Sequence, residues 1–427
     1  MPGQHFPLEQ IEFLVKHLLL QARTGFRAAS RVIDSVATFF GISWEVPDQT
    51  TGRTWLLRIA LYQLQRPKQK ADDWIWIVDH TIQIGPEKCL VILGVRVCDL
   101  PPPGQCLCVE DLQLLNLLPV THSDQHVVLA QLEDTIETTG VPCAILGDHG
   151  SDLHAGVNRF CLAHSETHNL YDITHKSATL MKARLEKNEV WKSFCHQAGQ
   201  TKFQTQQTEL SFLVPPSQRS KAKYMNLGGL VRWGRETLRL IDAPPPEVLR
   251  HVSCERLEQK LGWLRAYRHE LKQWTEYQDL ADASVDYIRR HGYSQSAEYQ
   301  TALRLTPLLQ TPSGRELKDE LLSFITQESS RLQPGERLPG SSEVMESALG
   351  KLKSVCGEHQ TGGFTSLLLS LGALVGRLDR DTIYDALVTV PWKQVGQWVE
   401  THLGQTHQSK RREAYRTPVP TIAKKIA

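Results

Sequence analysis

The sequence has no long apolar run and no marked excess of charge of either sign. None of its 427 residues belong to a stretch of about eighteen uninterrupted apolar residues, so a membrane-spanning helix is not expected. The first ten residues, MPGQHFPLEQ, lack the basic and apolar regions of a secretory signal. The formal net charge is only +1, so any nucleic-acid binding must depend on a local basic surface. We expect an intracellular protein without membrane partners, cytoplasmic or nucleoid-associated if it is bacterial.

The sequence also lacks the cysteine spacings that build disulfide frameworks or zinc sites. Its nine cysteines show no repeated close pairs. Cys106 and Cys108 stand too close together for a zinc knuckle, and Cys161 with His164 and His168 lacks a partner pair. Repeats of about 20–50 residues, which indicate solenoids, are missing as well. The cysteines therefore indicate a reducing environment rather than a structural role for zinc.

What the sequence does contain is a set of apolar segments that lead into aspartates. WIWIVD ends in Asp79, VPCAILG is followed by Asp148, and the shorter LYD ends in Asp172. Continuous apolar runs of this length are typical of strands that are buried on both faces. Carboxylates gathered at the ends of such strands repel one another unless cations neutralise them. Hard oxygen ligands favour magnesium or manganese, so the pattern predicts a metal site built from distant parts of the chain.

The apolar patterns divide the chain into five segments. Their order predicts an α/β protein with a mixed sheet, flanking helices, an N-terminal helical domain and a mostly helical insertion. The predicted segments are a helical domain (1–70), the first part of an α/β core (71–185), a helical insertion (186–340), the rest of the core (341–404) and a basic tail (405–427). Within them we expect strands at 74–79, 89–97, 126–132 and 141–147, a short helix within 109–118, and a strand-like run at 209–216.

The first 70 residues contain three amphipathic patterns with more basic than acidic residues. Three short helices in this order are typical of a helix-turn-helix module, in which the third helix enters the major groove of DNA. At the start of the third pattern, Arg53 and Thr54 stand where base-contacting side chains are expected, and Arg58 suits a phosphate. A helical cap that packs on the next domain explains the same pattern equally well.

The order of the acids resembles that of the DDE transposases of the RNase H-like superfamily. Asp79 in WIVDHT matches the aspartate at the end of the first strand, and Asp148 in AILGDHGSD matches the aspartate after the fourth. Glu346 in SEVMESALGK matches the glutamate that these enzymes carry on a later helix. Families of this kind often contain an all-helical insertion before the glutamate, and residues 186–340 match it in position and character. The resemblance implies an RNase H-like fold.

Two further features strengthen the resemblance. Asp172-Ile-Thr-His175 is similar to the aspartate-x2-histidine motif of the hAT and Mutator-like branches. Lys353 follows Glu346 by seven positions, a spacing that resembles a glutamate-to-lysine signature of some bacterial transposases. Asp172 and His175 are interpreted as supporting residues, either as a hydrogen-bonded structural pair or as metal ligands. Lys353 is interpreted as a contact for DNA phosphate, with a solvated lysine as the alternative.

Two acids compete with the chosen ligands. Asp152 lies in the same GDHGSD run as Asp148, but Asp148 directly follows the strand. Glu343 is three residues before Glu346 and shares its helix face, but only Glu346 has the spacing to the lysine. Outside the acids, Lys221 and Lys223 begin a basic part of the insertion and are predicted to contact DNA.

The resemblance implies a transposase that cuts DNA at element ends and joins the freed 3′-ends to target DNA. Asp79, Asp148 and Glu346 would hold two Mg²⁺ ions, with Mn²⁺ as a substitute. The partners would be double-stranded DNA, as transposon ends and target, and further copies of the chain in a homodimer or larger oligomer. Two alternatives stay open, namely a related nuclease without strand transfer and a catalytically silent DNA-binding descendant.

Overall fold

The computed structural model describes residues 6–84, 87–218, 224, 227–357, 364–403, 405 and 407–416. Helices and strands alternate in the first part of the chain, and helices prevail after residue 172. In chain order the elements are α1 (Leu8–Glu12), which continues as a π-helical segment (Phe13–Gln21), α2 (Phe26–Phe40), α3 (Gln49–Gln65), β1 (Trp74–Ile84), β2 (Glu87–Arg96), β3 (Gln113–Val120), α4 (Gln125–Thr139), β4 (Ala144–Gly147), α5 (Ser151–Ala163), β5 (His168–Tyr171), α6 (Ile173–Leu185), α7 (Glu189–Thr205), α8 (Leu227–Asp242), α9 (Pro246–Leu249), α10 (Cys254–Leu261), α11 (Arg268–His291), α12 (Ala297–Leu305), α13 (Pro312–Ser329), α14 (Glu343–Cys356), α15 (Leu371–Leu374), α16 (Arg380–Thr389), α17 (Trp392–His402) and α18 (His407–Arg416).

Two compact units share these elements. Unit 1 comprises Met1–Pro101, Leu107–Asn169 and Ser342–Ala427, and unit 2 comprises Pro102–Cys106 and Leu170–Ser341. Apart from the short segment Pro102–Cys106, the chain leaves unit 1 for one long helical excursion and returns to it just before α14. This excursion contains the segment predicted as the insertion (186–340), but it begins earlier, at Leu170. The predicted boundary at residue 70, in contrast, does not separate two units, because the first helices belong to unit 1.

The described residues form one five-stranded sheet with the strand order β3-β2-β1-β4-β5. β1 pairs antiparallel with β2, and β2 pairs antiparallel with β3. β1 pairs parallel with β4, with Val78 opposite Gly147 as the last pair of this ladder. The sheet is therefore mixed, as the sequence predicts, and its central strand is the WIWIVD segment.

The helices α4 and α5 cover one face of this sheet. Their apolar side chains and those of the strands form a single buried cluster: Trp74, Trp76, Val78, Leu90, Ile92, Leu115, Val128, Leu132, Ile145, Leu153, Val157 and Phe160. Side chains alternate between the two faces of a strand. Trp74, Trp76 and Val78 therefore face α4 and α5, whereas Ile75, Ile77 and Asp79 face the other side of the sheet.

The N-terminal helix α3 is buried within unit 1. Most of its apolar residues are buried, namely Trp55, Leu56, Leu57, Ile59, Ala60 and Leu61. The helix packs against α15, α16, α17, β3 and the 3₁₀ segment Ser366–Ser370. Asp48 caps its N-terminus and accepts hydrogen bonds from the backbone N–H groups of Thr50 and Thr51 at 2.6 and 2.8 Å. The predicted helical character of residues 1–70 is thus confirmed for the described part, and its packing matches the helical-cap alternative.

Two secondary-structure predictions between residues 109 and 132 are wrong. Residues 126–132, predicted as a strand, belong to α4, because Asp124 caps a helix there and accepts hydrogen bonds from His126 N and Val127 N. The predicted helix within 109–118 is a 3₁₀ turn, Val109–Asp111, followed by β3. Both segments are short apolar runs, and periodicity alone does not distinguish a buried strand from a buried helix.

A further segment also differs from the sequence prediction. The strand-like run at 209–216 contains a 3₁₀ turn, Ser211–Leu213, instead of a strand. In the basic tail, residues 407–416 form α18, and residues 417–427 lie outside the described residues.

Unit 2 is built from helices α6 to α13. Trp191, Phe194, Tyr267 and Trp274 stack edge-to-face or tilted with ring centroids 4.7–6.5 Å apart. Aromatic pairs of this kind contribute more than their buried area alone. The tryptophans of the insertion are therefore core anchors for its helices. Among the helices of the described ranges, none is long and apolar enough to cross a membrane.

The close approach of α15 to α3 gives a test of how firmly the first helices are held. A Cβ atom added at Gly372 would overlap the backbone carbonyl of Ala60 in α3. A helix backbone cannot move aside as a flexible side chain can. We expect Gly372→Ala to destabilise the protein by about 1–3 kcal/mol. The control is Gly350→Ala in α14, where a Cβ meets nothing within 4 Å and a helical glycine gains about 0.5–1 kcal/mol. Urea unfolding measures both, and equal midpoints for the two variants would contradict this packing.

Candidate active site

Asp79 and Asp148 lie on neighbouring parallel strands at the same edge of the ladder. Val78 of β1 pairs with Gly147 of β4, and each aspartate is the next residue along its strand. Because neighbouring strands are about 4.8 Å apart, this register brings the two aspartates side by side. Both side chains are partly exposed. One detail differs from the prediction, since β1 continues past Asp79 to Ile84 and only its pairing with β4 ends at Val78.

The helix that carries Glu346 packs on the face of β1 to which Asp79 points. α14 contacts β1, yet among the described residues none from α14 belongs to the cluster on the α4–α5 face. It therefore lies on the opposite face, together with Asp79. Its buried side includes Met345 and Leu349, whereas Glu346 and Lys353 are exposed. Glu346 thus stands in the first turn of a helix that lies against the central strand.

The backbone is strained directly after Asp148. His149 adopts a φ of 56°, a left-handed conformation that is uncommon for residues other than glycine. Asp148 Oδ1 accepts a hydrogen bond from Gly150 N at 2.9 Å, and the His149 ring stacks on His154 with centroids 4.0 Å apart. Strain of this kind is concentrated at functional sites, where the surrounding structure maintains it. The turn from β4 to α5 is therefore fixed in shape around Asp148.

The rival acid Asp152 is engaged in a polar network. Its Oδ2 accepts hydrogen bonds from Lys88 Nζ at 2.7 Å and Ser123 Oγ at 2.9 Å, and His80 Nδ1 lies 4.0 Å away. Burial of Asp152 opposes its ionisation, but the bonds from Lys88 and Ser123 outweigh burial and lower the pKa to about 2. The charge of Asp152 is thus balanced by a cation of the protein itself, which favours Asp148 as the acid available to a ligand.

His80 connects this network to the two strand-end aspartates. Burial lowers the pKa of His80 below its usual value, while the charges of Asp152 and Asp148 act in the opposite direction. The backbone N–H of His80 donates to Asp79 Oδ1 at 2.7 Å. Side chains that alternate along β1 place His80 on the α4–α5 face and Asp79 on the other. At neutral pH the His80 imidazole is therefore uncharged, and it does not neutralise the carboxylates of Asp152 and Asp148.

The predicted Asp172–His175 pair lies in unit 2. Asp172 is buried and caps α6, with Oδ1 accepting a hydrogen bond from the backbone N–H of His175 at 2.9 Å. The preceding residue, Tyr171, donates its N–H to Glu328 at 2.8 Å and accepts a bond from the Tyr293 hydroxyl at 2.7 Å. Burial raises the pKa of Glu328 to about 7. Asp172 therefore caps the helix through the backbone of His175, and both a supporting role for this pair at the site and metal binding by it stay predictions.

The predicted DNA-binding residues of α3 have different surroundings. Arg53 is exposed and donates to Ser366 Oγ at 2.5 Å, and the Thr54 hydroxyl donates to the Thr50 carbonyl at 2.8 Å. Arg58 is partly buried and donates to the carbonyls of Leu387 and Val390 at the end of α16. A phosphate contact by Arg58 would have to use the guanidinium donors that these two carbonyls leave free. Lys221 and Lys223 lie outside the described residues.

The residues at this edge are of the type that binds a hard metal ion, but the described residues do not form a preassembled metal site. Asp79, Asp148 and Glu346 offer only carboxylate oxygens, which Mg²⁺ prefers. In the part of the chain that the structure describes, no group of three or more His, Cys, Asp or Glu side chains lies close enough together to hold a metal ion. Binding of two Mg²⁺ ions by these three residues therefore stays a prediction.

Sequence reasoning did not find the network of Lys88, Ser123 and His80 around Asp152. These residues come from β2, the loop before α4, and β1, and no spacing in the sequence connects them. The only available signal was the proximity of Asp152 to Asp148. Comparison with known protein families finds no family model that matches the chain, and comparison with curated proteins finds no significant match.

The network gives Asp152 a measurable effect on stability. Its folded pKa of about 2 lies below the ordinary value of 3.8, so the contribution, about 2 kcal/mol, is full above about pH 4 and disappears as the pH falls through about 2. We expect Asp152→Asn to lose about 1–2 kcal/mol at neutral pH and progressively less in acid. Urea unfolding across this pH range measures the effect, with Asp134→Asn on the exposed side of α4 as the control. A loss that does not depend on pH would exclude the charge of Asp152 as its cause.

Proposed function

We propose that the protein is a DNA transposase that cuts phosphodiester bonds at element ends and transfers the freed strands to target DNA. The observation that carries this proposal is the meeting of three acid-bearing elements. Asp79 and Asp148 follow the last pair of the β1–β4 ladder, and α14 with Glu346 packs on the face of β1 to which Asp79 points. The acids of the DDE resemblance thus come from elements that are neighbours in the fold.

The strand order of the sheet supports the proposal that the core is RNase H-like. The resemblance assigns the two aspartates to the first and fourth strands, and these must be adjacent for the carboxylates to meet. β1 and β4 are adjacent and parallel, although β2 and β3 separate them in sequence. The helical excursion between β5 and α14 stands where the resemblance has its insertion. The strand order therefore agrees with the arrangement that the resemblance requires, and doubly wound α/β folds also place their first and fourth strands side by side.

The proposed reaction has two steps at the same place. In the first, water attacks the phosphorus atom at the element end, the bond to the 3′-oxygen breaks, and a 3′-hydroxyl is released. In the second, this 3′-hydroxyl attacks a phosphorus atom of the target strand, and the target's own 3′-oxygen leaves. Bound Mg²⁺ would activate the nucleophile and stabilise the leaving oxygen. The chain's contribution is to fix Asp79 and Asp148 on rigid strands and to keep Asp152 neutralised by Lys88.

The acids provide the first test of this function. We expect Asp79→Asn, Asp148→Asn and Glu346→Gln each to abolish magnesium-dependent cleavage of DNA that carries the element ends. DNA binding should be unchanged or tighter, because each change removes one negative charge near phosphate. Cleavage is measured on end-labelled DNA or plasmid, and binding by gel shift.

The matched controls are Asp152→Asn and Glu343→Gln, which make the same chemical change at the two rival positions. Both should retain cleavage. If Asp152→Asn abolishes cleavage while Asp148→Asn does not, Asp152 replaces Asp148 in the proposal. Full activity of Asp79→Asn in magnesium would refute the role of Asp79.

The arginines of α3 provide a test of end recognition. Arg53→Ala should weaken binding to the cognate end by about 1–3 kcal/mol and reduce discrimination against other sequences, if Arg53 reads a guanine. The fold should keep its stability, since Arg53 is exposed. Arg58→Ala should instead lower the unfolding midpoint, because it removes the hydrogen bonds to Leu387 and Val390. Fluorescence anisotropy and thermal unfolding separate the two effects.

If Arg58 also contacts phosphate, its loss weakens binding to all sequences alike and flattens the salt dependence. If Arg53→Ala leaves both affinity and discrimination unchanged, the first helices pack on the core without reading DNA. End recognition must then come from the basic part of the insertion.

The products of the reaction distinguish the two alternatives. Cleaved DNA without joined products identifies a nuclease, and DNA binding without cleavage in magnesium or manganese identifies a catalytically silent descendant. Joined products identify the transposase. Strand transfer also requires two ends to be paired, so the proposal includes a dimer or larger oligomer on DNA, which light scattering of the complex with end DNA measures.

A further inference from the structure

A cleft in unit 1, apart from the candidate active site, has a cationic rim and an apolar wall. Its volume is about 620 Å³. Four cationic side chains line it, namely Lys16, Arg23, Lys351 and Arg377, against the two carboxylates of Glu110 and Asp379. Leu20, Ala373, Leu374 and Leu378 supply the apolar wall. The lining therefore carries more positive than negative charge around a surface that water solvates poorly.

The acids of the cleft are already committed. Glu110 forms an ion pair with Lys351, in which Nζ lies 3.1 Å from Oε1. Asp379 caps α16 and accepts a hydrogen bond from Thr382 N at 2.8 Å. Hydrogen bonds from the Thr382 hydroxyl and N–H lower the pKa of Asp379. Neither carboxylate forms an ion pair with Arg23 or Arg377.

The two arginines, in contrast, have no partner among the described residues. Arg23 and Arg377 make no hydrogen bond or ion pair with any of them, and both side chains are exposed. Lys16 forms an ion pair with Oε1 of Glu12, and Oε2 of Glu12 accepts a hydrogen bond from Arg380. Uncommitted guanidinium groups that line one cleft are suited to bind an anion with several oxygens, and their planar fork can hold two oxygens of a phosphate at once.

The backbone at Arg23 adds an independent observation. Arg23 has a φ of 54°, a left-handed conformation that costs free energy in any residue other than glycine. The next residue, Thr24, fixes the turn, because its N–H and its hydroxyl both donate to the Leu18 carbonyl, at 2.9 and 2.8 Å. Glycine would fit this turn without strain. An arginine at such a position indicates that its side chain has a role that the turn itself does not need.

We propose that this cleft binds the phosphate of a nucleotide, with Arg23 and Arg377 on the phosphate and the apolar wall against the base or sugar. A bare phosphate needs neither the volume nor the apolar wall. The volume is in the range of sites for small organic ligands. The nucleotide is either free in solution or part of a DNA strand, and both offer the same chemistry to the cleft.

Calorimetry with the full-length protein tests the proposal, using inorganic phosphate, AMP, ATP and a duplex of arbitrary sequence as probes. The variants are Arg23→Gly and Arg377→Gln, with Lys393→Ala as the control for loss of one exposed cation away from the cleft. Arg23→Gly removes the guanidinium and relieves the strained backbone, so its melting temperature should be equal to or above that of the wild type. A loss of binding in this variant therefore cannot be attributed to unfolding.

For a free nucleotide, we expect AMP or ATP to bind more tightly than inorganic phosphate, and both variants to weaken this binding about ten- to hundredfold. For a nucleotide of DNA, mononucleotides bind weakly, and both variants lower affinity for the duplex and reduce its salt slope by about one. Either result supports the proposal. It is overturned if both variants bind all probes as Lys393→Ala does, or if inorganic phosphate binds as tightly as AMP, ATP and the duplex. None of these outcomes depends on cleavage activity.

Discussion

The parallel pairing of β1 with β4 is the constraint on which the candidate active site depends. These strands are far apart in sequence, and only their ladder, which ends with Val78 opposite Gly147, brings Asp79 and Asp148 side by side. The pairing is secured by burial, since WIWIV and AILG are enclosed on both faces. Burial of this apolar surface provides the free energy that holds two like charges at one edge of the sheet.

The aspartates near this edge of the sheet differ in their partners and in the face of the sheet on which they lie. Asp152 is paired with Lys88 and Ser123 on the α4–α5 face, whereas Asp79 faces the side of the sheet on which α14 packs. The sheet thus separates an acid that stabilises the fold from acids that are proposed to bind a ligand. This separation follows from the alternation of side chains along a strand, because neighbouring residues of β1 must point to opposite faces.

The first helices illustrate how one pattern serves two interpretations. Their amphipathic spacing predicts helices, and α2 and α3 form as expected. Whether such helices read DNA or cover a core depends on which faces remain exposed. In unit 1, α3 packs against helices from the far end of the chain, and Gly372 allows α15 to approach its backbone closely. The fully exposed residues of α3 lie toward its two ends, and Arg53 is one of them near the N-terminus. The proposed DNA contact and the packing role would therefore use different parts of the same helix.

The sequence by itself determined the local elements, because they depend on composition and spacing. The buried strands WIWIVD and AILG, the cap at Asp48, the helical excursion and the helix of Glu346 all follow from apolar runs and capping residues. It did not determine whether residues 109–132 form strand or helix, because short apolar runs are compatible with both and their partners decide. Strand order, the commitment of Asp152 to Lys88, and the cleft around Arg23 were decided only by the tertiary structure. Each of these joins residues that are distant in the chain, and such contacts leave no periodic trace in a single sequence.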